Sequence, residues 1–370
     1  MIKAISLKNF KSFLDSRIQL STLNLLTGIN GVGKSTLIQA LLLLRQSYLK
    51  NIFPSKGILL NGELFNLGKG GDALSIHSTV PEIYLGIEFS DLPNLDVFLK
   101  FVAESDLLPL NKKKSSLKKE SFKHALFNNS FKYLNAERIS PKVSYNVSLF
   151  EVEENKSLGI HGEYTSLFLA KYQREPINIE SLLHENNPTN TLIEQVSAWL
   201  QDISPGINLK SQYYPEIDAA KFNYQFEYGD LTTPEFRPTN VGFGLTYALP
   251  IITSILSSQP GDIVIIENPE SHLHPSGQFK LGEMLFKAAV GGLQTIVETH
   301  SDHVLNGIRV SINKHKKYSD LVNVVFFERD KKSKKHISSI LKPKLDDNGR
   351  IDSWPVGFFD EWDKSLIQLL

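Results

Sequence analysis

The sequence predicts an α/β fold with a mixed sheet and a helical subdomain, and two apolar patterns carry this prediction. Residues 23–27 form a short apolar run, and a glycine-rich turn joins them to a leucine-rich segment at 36–50. This order is typical of a buried strand followed by a helix. Residues 263–266 are β-branched and end at Glu267, as in a buried parallel strand that carries an acid at its carboxyl end. No heptad pattern persists, so we expect no long coiled coil.

The glycine-rich turn fits a phosphate-binding loop at every fixed position. Residues 28–35 have the sequence GINGVGKS, which matches G-x-x-x-x-G-K-[ST]. Glycines let successive backbone N–H groups turn inward around a phosphate, and the helix that follows points its positive end at the same anion. We expect Lys34 to reach the β- and γ-phosphates of ATP and Ser35 to bind Mg²⁺. The predicted nucleotide-binding residues are Asn30, Gly31, Gly33, Lys34, Ser35 and Thr36.

The composition narrows the class of protein without identifying a partner. The 370 residues include 40 basic and 40 acidic side chains, so the net charge points neither to nucleic acid nor to membrane. The absence of cysteine excludes disulfides, thiol catalysis and cysteine metal sites. The first residues alternate like a strand, and no apolar run approaches a membrane span of about 18 residues. We therefore expect a cytoplasmic protein that binds no membrane.

A further strand is predicted after the one that ends at Glu267. A helix is expected at about 278–289, and residues 295–299 form a strand that ends at His300. Ligands bind beyond the carboxyl ends of parallel strands, so Glu267 and His300 are expected beside the phosphates.

A glycine-rich turn also precedes the acidic strand. The glycines at 242 and 244 predict a tight turn into a helix over 245–256, with Thr239 or Asn240 near its cap. The region before it is less regular, apart from an amphipathic helix predicted at 193–202. We predict one discontinuous head domain with an inserted region and a tail. The boundaries are 1–90 and 232–345 for the head, 91–231 for the insert and 346–370 for the tail.

Together, the motifs resemble the ATP-binding heads of the RecF, SMC and OLD class of ABC-type ATPases. The ordered set is the opening strand and turn at 5–13, the phosphate loop, Gly242-Phe243-Gly244, Glu267-Asn268-Pro269-Glu270, the turn at 272–275, and Glu298-Thr299-His300-Ser301. With a tail segment at 352–355, the chain is most similar to the small RecF-like and OLD-like AAA-family ATPases of bacterial defence loci. The resemblance implies a P-loop NTPase fold, ATPase activity and a role in antiviral defence.

In the class that this chain resembles, two heads sandwich two ATP molecules. The resemblance places the signature turn at Val241, Gly242, Phe243 and Gly244, where backbone N–H groups would meet the γ-phosphate of the partner's nucleotide. It implies a homodimer or higher oligomer that switches between open and ATP-sandwiched states. Residues 9–11 are expected either near the adenine and ribose or, for the phenylalanine, in the core.

One departure from the class concerns the catalytic acid. Such heads usually carry two acids at this strand end, one for Mg²⁺ and one that polarises the attacking water, whereas here the pair is Glu267-Asn268. An amide cannot accept a proton from water, so either hydrolysis is slow or another acid substitutes. We assign Glu267 with Ser35 to the Mg²⁺ shell, Glu270 as the candidate base and His300 as the γ-phosphate sensor.

Three other interpretations stay open from the sequence. The histidines at 272, 274, 300 and 303, with acids close by, are compatible with a metal hydrolase. Arg138 is either a charge in the site or a structural ion-pair residue. Because Asn268 replaces the usual acid, the protein is alternatively a nucleotide-gated scaffold with little or no hydrolysis.

The remaining sequence bears on partners. Little chain follows residue 310, and residues 324–330 lack the acid cluster of a two-metal nuclease. We therefore expect a separate effector protein, a nuclease or a toxin. Lysine runs at 112–119, 314–317 and 331–335 are either solvated loops or contacts to DNA or RNA, as in a DNA-repair ATPase that binds DNA directly.

Overall fold

The computed structural model describes residues 1–330, 336–355, 357–359 and 361–369, and the chain divides into two compact units. The first unit contains Met1–Asn128, Asn323–Lys344 and Ile351–Leu370, and the second contains Asn129–Val322 and Leu345–Arg350. These cuts fall at other places than the predicted boundaries, and the division into head, insert and tail stays a prediction.

The predicted strands at 23–27, 263–267 and 295–299 and the helices predicted at 36–50 and 278–289 are confirmed, with ends that shift by a few residues. The strands, in chain order, are β1 Ile2–Phe10, β2 Phe13–Gln19, β3 Leu23–Gly28, β4 Gly57–Leu59, β5 Glu82–Phe89, β6 Leu95–Lys100, β7 Leu107–Pro109, β8 Phe131–Leu134, β9 Tyr145–Asn146, β10 Ile207–Tyr214, β11 Ala219–Tyr228, β12 Leu231–Thr232, β13 Ile263–Glu267, β14 Gln294–Glu298, β15 Val322–Arg329 and β16 Ser338–Leu341. The α-helices are α1 Lys34–Leu49, α2 Gly70–Ala73, α3 Thr165–Tyr172, α4 Leu192–Gln201, α5 Phe243–Leu256, α6 Pro275–Val290, α7 Asp302–His315 and α8 Glu361–Leu369.

The first unit places the glycine-rich turn between a buried strand and a buried helix. Strands β2, β1, β5 and β6 form an antiparallel sheet in that order, and β3 lies beside β15, which pairs antiparallel with β16. Helix α1 is buried on most of its circumference, including Leu37, Leu41 and Leu44. A helix that is buried on most of its surface lies inside the core, and the core therefore holds the end of the turn that leads into α1.

The second unit contains a parallel arrangement of β8, β13 and β14. The first four residues of β13 are 0% exposed, and burial of each such side chain stabilises the fold by about 1.5–3 kcal/mol. Glu267 pairs in register with Glu298, so both strands end at the same level. A separate antiparallel group contains β10, β11 and β12, with β9 on β11. Within the described residues, no helix has both the length and the apolar character that crossing a membrane requires.

Candidate nucleotide-binding and hydrolysis site

The turn between β3 and α1 has the backbone geometry that its glycines permit. Gly28 and Gly33 have φ angles of 133° and 104°, in the region that favours glycine. A Cβ at Gly28 would lie 2.2 Å from the Phe327 carbonyl oxygen, so the loop passes β15 too closely for any side chain. Residues 29–31 are exposed, which leaves the tip of the loop accessible to a ligand.

The residues that follow the glycines begin α1. Lys34 is 4% exposed, and its Nζ donates to the carbonyl oxygens of Gly28 and Ile29, both at 2.9 Å. The ammonium group therefore lies within the loop. Ser35 and Thr36 occupy the first turn of α1, where the positive end of the helix dipole favours an anion. The predicted nucleotide-binding residues are thus neighbours in one turn of the first unit.

Two serines support the loop from outside the motif. The Ser338 backbone N–H donates to the Ser12 carbonyl oxygen at 2.9 Å. The Ser338 hydroxyl lies 2.7 Å from the Val32 carbonyl oxygen and 2.6 Å from the Ser12 hydroxyl. A hydroxyl has one proton, so Ser338 donates to Val32 and accepts from Ser12. The motif gives no signal for either serine, because they lie far from the loop in sequence and are brought to it by β2 and β16.

The turn after β1 resolves the alternative for residues 9–11 in part. Phe10 is 1% exposed and belongs to the core. Lys11 has a left-handed φ of 52°, and its Nζ donates to Gln39 Oε1 on α1 at 2.8 Å. Burial lowers the pKa of Lys11. Of these residues, Lys11 is the one placed against the helix that follows the phosphate loop.

In the second unit, Glu267 ends β13 with both carboxylate oxygens engaged. Oε1 accepts a hydrogen bond from the Tyr133 hydroxyl at 3.1 Å, and Oε2 accepts one from the Ala136 N–H at 3.2 Å. Burial raises the pKa of Glu267, against the effect of these hydrogen bonds and of the Arg138 charge. The hydrogen bonds fix the orientation of a hard oxygen ligand of the kind Mg²⁺ prefers. Tyr133, on the neighbouring strand β8, is a contact that the sequence analysis missed.

Asn268 turns the chain out of the sheet immediately after Glu267. Its φ is 45°, and its N–H donates to the Glu298 carbonyl oxygen at 2.8 Å. Arg138 is 3% exposed. One of its terminal nitrogens donates to the Asn268 carbonyl oxygen at 3.0 Å, and the other donates to the Glu267 carbonyl oxygen. Arg138 therefore lies at the acidic strand end and contacts its backbone, and among the described residues it forms no ion pair.

Glu270 joins the turn after β13 to the end of β14. Its Oε2 accepts a hydrogen bond from the Thr299 hydroxyl at 2.8 Å, and its Oε1 accepts one from the His300 N–H at 2.7 Å. Ser301 caps α7, because its hydroxyl accepts from the Val304 N–H at 3.1 Å. The predicted base and the predicted γ-phosphate sensor are therefore direct neighbours.

The signature turn leads into α5, which begins at Phe243. Thr239 and Asn240, predicted near the cap, lie three and two residues before the cap residue Gly242, and no side chain of a described residue caps the helix. Val241 and Gly242 are extended, Phe243 is 55% exposed, and a Cβ at Gly242 would meet nothing within 4 Å.

The two glycines of this turn have different surroundings. A Cβ at Gly244 would lie 2.5 Å from the His272 carbonyl oxygen, so the first turn of α5 packs directly on the turn after β13. The His272 ring also lies against the rings of Phe243 and Tyr247, at 5.9 and 4.5 Å between centroids. The signature turn and the acidic turn are therefore in contact within the second unit.

The histidine set does not form a metal centre in the described part of the chain, where no group of three or more His, Asp or Glu residues is placed to hold a metal ion. His274 instead caps α6, because its Nδ1 accepts from the Ser276 N–H at 3.3 Å. His272 packs on α5. These roles account for two of the four histidines without a metal.

Comparison with known families identifies the chain. A family model described as "AAA domain, putative AbiEii toxin, Type IV TA system" matches residues 23–306, which include the phosphate loop, the signature turn and the acidic strand end. The chain belongs to this AAA family. A second model, described as a protein of unknown function (DUF3696), matches residues 319–369. No curated protein matches the chain. The AAA family consists of P-loop ATPases, which bind nucleotide and usually Mg²⁺.

Solved structures show the same fold at low sequence identity. An SMC head bound to the C-winged helix domain of ScpA has a TM-score of 0.54 and 13% identity, and covers 93% of this chain and 98% of its own. A second structure is an SMC head domain with an extended coiled coil, bound to the C-terminal domain of ScpA and derived from Pyrococcus furiosus. It has a TM-score of 0.54 and 12% identity, and covers 100% of this chain and 99% of its own. The predicted ABC-type ATPase head fold of the RecF and SMC class is confirmed. The longest helices described here have 16 residues, consistent with a head without a long coiled coil.

Proposed function

We propose that this AAA-family protein binds and hydrolyses ATP and alternates between open and ATP-sandwiched dimers, and that this alternation controls a separate nucleic-acid-processing or defence effector. One observation carries the dimer part of the proposal, namely the uncapped start of α5. The first N–H groups of a helix need a partner, which is water, a side chain or a ligand. Helix α5 has no side-chain cap and no acidic residue in its first turn, and Phe243 is exposed beside it.

The phosphate of a second copy's nucleotide is a suitable ligand for this helix start. An anion there is stabilised by the N–H groups and by the helix dipole. Gly242 leaves space for close approach, whereas any larger residue would add atoms in front of the N–H groups. A sandwich with two such contacts closes only when the nucleotide carries a γ-phosphate, which ADP lacks.

The nucleotide would be held by the residues of the phosphate loop. Lys34 supplies a charge to the β- and γ-phosphates, and its present acceptors, the carbonyls of Gly28 and Ile29, are replaced by phosphate oxygens. Ser35 and Glu267 would hold Mg²⁺ through hydroxyl and carboxylate oxygens, which match its preference for hard ligands. The metal, when bound, neutralises charge on the phosphate oxygens.

Hydrolysis then depends on how water is activated near Asn268, which cannot act as a base. After Glu267, which is assigned to the Mg²⁺ shell, Glu270 is the next nearest acid along the chain, and each of its oxygens accepts one hydrogen bond and retains a lone pair for water. His300 is held against it and would contact the γ-phosphate. We infer slow turnover, because Glu270 lies two residues from the position that the resemblance assigns to the catalytic acid.

ATP binding and phosphate release, measured on the same protein, test this proposal. The Lys34→Ala variant should lose ATP affinity by about 1.5–3 kcal/mol in calorimetry, since a charge-assisted contact disappears. Lys50→Ala is the matched control, because Lys50 follows the other end of α1 and is exposed. Equal affinity in Lys34→Ala and wild type would contradict the site. Tight ATP binding without phosphate release would favour the nucleotide-gated scaffold instead.

A second candidate function, direct binding of nucleic acid, is favoured by the lysine run at 112–119. Lys112, Lys113, Lys118 and Lys119 are exposed, and none of them makes an ion pair with a described residue, whereas Lys114 pairs with Glu82 at 2.8 Å. The run at 314–317 is partly engaged, since Lys314 pairs with Glu283 at 2.9 Å. The run at 331–335 lies outside the described residues.

The salt dependence of binding to a DNA duplex or to RNA tests this candidate. Each phosphate contact contributes about 0.7–0.9 to the slope of log affinity against log salt. Replacing the four free lysines of the 112–119 run with glutamine should reduce that slope and the affinity together. Lys314→Gln is the control, and an equal effect of the two changes would contradict a specific surface at 112–119.

A further inference from the structure

We propose that Arg138 is a positioning residue for ATP hydrolysis, which holds the backbone of residues 267 and 268 in the one conformation that presents the acidic strand end to the nucleotide. The proposal rests on the hydrolytic function proposed above. Arg138 follows β8 and is 3% exposed. Its two terminal nitrogens donate to two consecutive carbonyl oxygens, those of Glu267 and Asn268.

The two carbonyls lie on either side of the Asn268 Cα, so their relative direction is set by the φ and ψ angles of Asn268. In an extended strand, consecutive carbonyls point to opposite sides, and a planar guanidinium cannot reach both. They point to the same side only when the residue between them has helix-like angles. Asn268 has a φ of 45°, a left-handed conformation that most residues avoid and that asparagine tolerates better than other residues with a side chain. The two hydrogen bonds from the Arg138 guanidinium therefore favour this conformation of Asn268 over the extended one.

The same turn carries the groups assigned to hydrolysis. Glu267 precedes Asn268, and the Asn268 N–H donates to Glu298 at the end of β14. Glu270 follows and holds Thr299 and His300. A change in the Asn268 angles would therefore move the acid on one side and the Glu270 contacts on the other. Misplacement of reacting groups by about 1 Å reduces turnover by about 100-fold.

The charge of Arg138 is retained although it is buried. Burial lowers its pKa to about 10, while the charges of Glu270 and Glu267 act in the opposite direction. At neutral pH the guanidinium is therefore protonated and keeps its donors. A lysine at this position has a single nitrogen, which lacks the fork geometry needed for two fixed acceptors.

Arg45 offers a matched control in the first unit. It lies on α1, is 9% exposed, and donates from one terminal nitrogen to the carbonyl oxygens of Leu126 and Asn128 at 2.8 and 2.9 Å. Burial lowers its pKa to about 10 as well. Arg45 is thus a second buried arginine that binds backbone carbonyls, but these carbonyls carry no group assigned to hydrolysis.

The experiment compares Arg138→Lys with Arg45→Lys in the full chain. We expect Arg138→Lys to lower kcat by about 100-fold with an ATP Kd within about 3-fold of wild type, because the phosphate loop is unchanged. Arg45→Lys should lower the melting temperature without a comparable loss of kcat. In Arg138→Ala, millimolar guanidinium should restore part of kcat. Equal losses of kcat in the two lysine variants, or losses that follow the melting temperature, would overturn the proposal.

A second readout separates this proposal from the proposed hydrolysis. Hydrogen exchange of the amides at 268–273 should be faster in nucleotide-free Arg138→Lys than in wild type, and unchanged in Arg45→Lys. If wild-type protein releases no phosphate, the hydrolytic function fails whatever the exchange shows. If wild type hydrolyses ATP and Arg138→Lys exchanges and turns over like wild type, Arg138 does not position the turn.

Discussion

Gly242→Asp is expected to stabilise the protein and to abolish ATP-dependent closure, which separates folding from function at one residue. Gly242 is the cap residue of α5, with φ −57° and ψ 138°, and a Cβ there would meet nothing within 4 Å. Aspartate is a better cap than glycine by a few tenths of a kcal/mol, and its charge at a helix N-terminus adds about 0.3–1 kcal/mol. We therefore expect an unfolding free energy equal to or above that of wild type.

The same carboxylate would oppose the partner's nucleotide. At about 4 Å from a phosphate oxygen, with an effective dielectric constant of about 20, the repulsion is about 4 kcal/mol. Each such repulsion corresponds to an approximately 1000-fold weaker ATP-dependent association, and a closed sandwich contains two of them. Gly242→Asn is the control, since asparagine caps the helix equally well without the charge. Urea denaturation measures stability, and sedimentation with ATP measures association. Association of the aspartate variant at the wild-type level would refute the role of the α5 start, whereas an equal loss in both variants would assign the effect to added bulk and not to charge.

The other predictions concern packing, titration and the catalytic acid. Gly244→Ala should destabilise the protein by about 1–3 kcal/mol in urea denaturation, because its Cβ would lie 2.5 Å from the His272 carbonyl oxygen; an unchanged midpoint would contradict this contact. Burial lowers the pKa of Lys132 from 10.5 to about 8, so the folded protein loses this proton before the unfolded chain does. Stability should therefore rise by about 2 kcal/mol from pH 7 to pH 10 relative to Lys132→Met, and parallel pH curves would contradict it. Asn268→Glu should raise kcat and Glu270→Gln should lower it; no effect of either change would show that the catalytic acid is misassigned.

The parts of the site that the sequence predicted are those in which a local motif determines the geometry. The glycine positions predict the turn at 28–35, and an apolar run predicts the strand that ends at Glu267. Both patterns determine the backbone conformation of only the few residues that contain them. The local pattern does not distinguish Gly242 from Gly244. The structure separates them, because the His272 carbonyl oxygen that Gly244 approaches comes from a segment 28 residues later in the chain.

The contacts that the sequence did not predict join residues distant along the chain. Ser12 and Ser338 are 326 positions apart, and Tyr133 and Glu267 are 134 positions apart. Serine and tyrosine occur throughout a protein of this composition, so no pattern marks these pairs. For Arg138 the sequence left two roles open, and the decisive fact is that its donors meet backbone carbonyls. Every residue has a backbone carbonyl, so the sequence does not show which carbonyls accept hydrogen bonds from Arg138.

Nucleotide-dependent association tests the central claim most directly. Glu267→Gln is the suitable protein, because loss of the acid assigned to the Mg²⁺ shell should slow hydrolysis and preserve the ATP-bound state. Sedimentation is measured with ATP, with ADP and without nucleotide at the same protein concentration. ATP favours the closed state by its differential affinity for that state, so the account predicts a dimer with ATP and a smaller species in the other two samples. An identical oligomeric state in all three samples would contradict it.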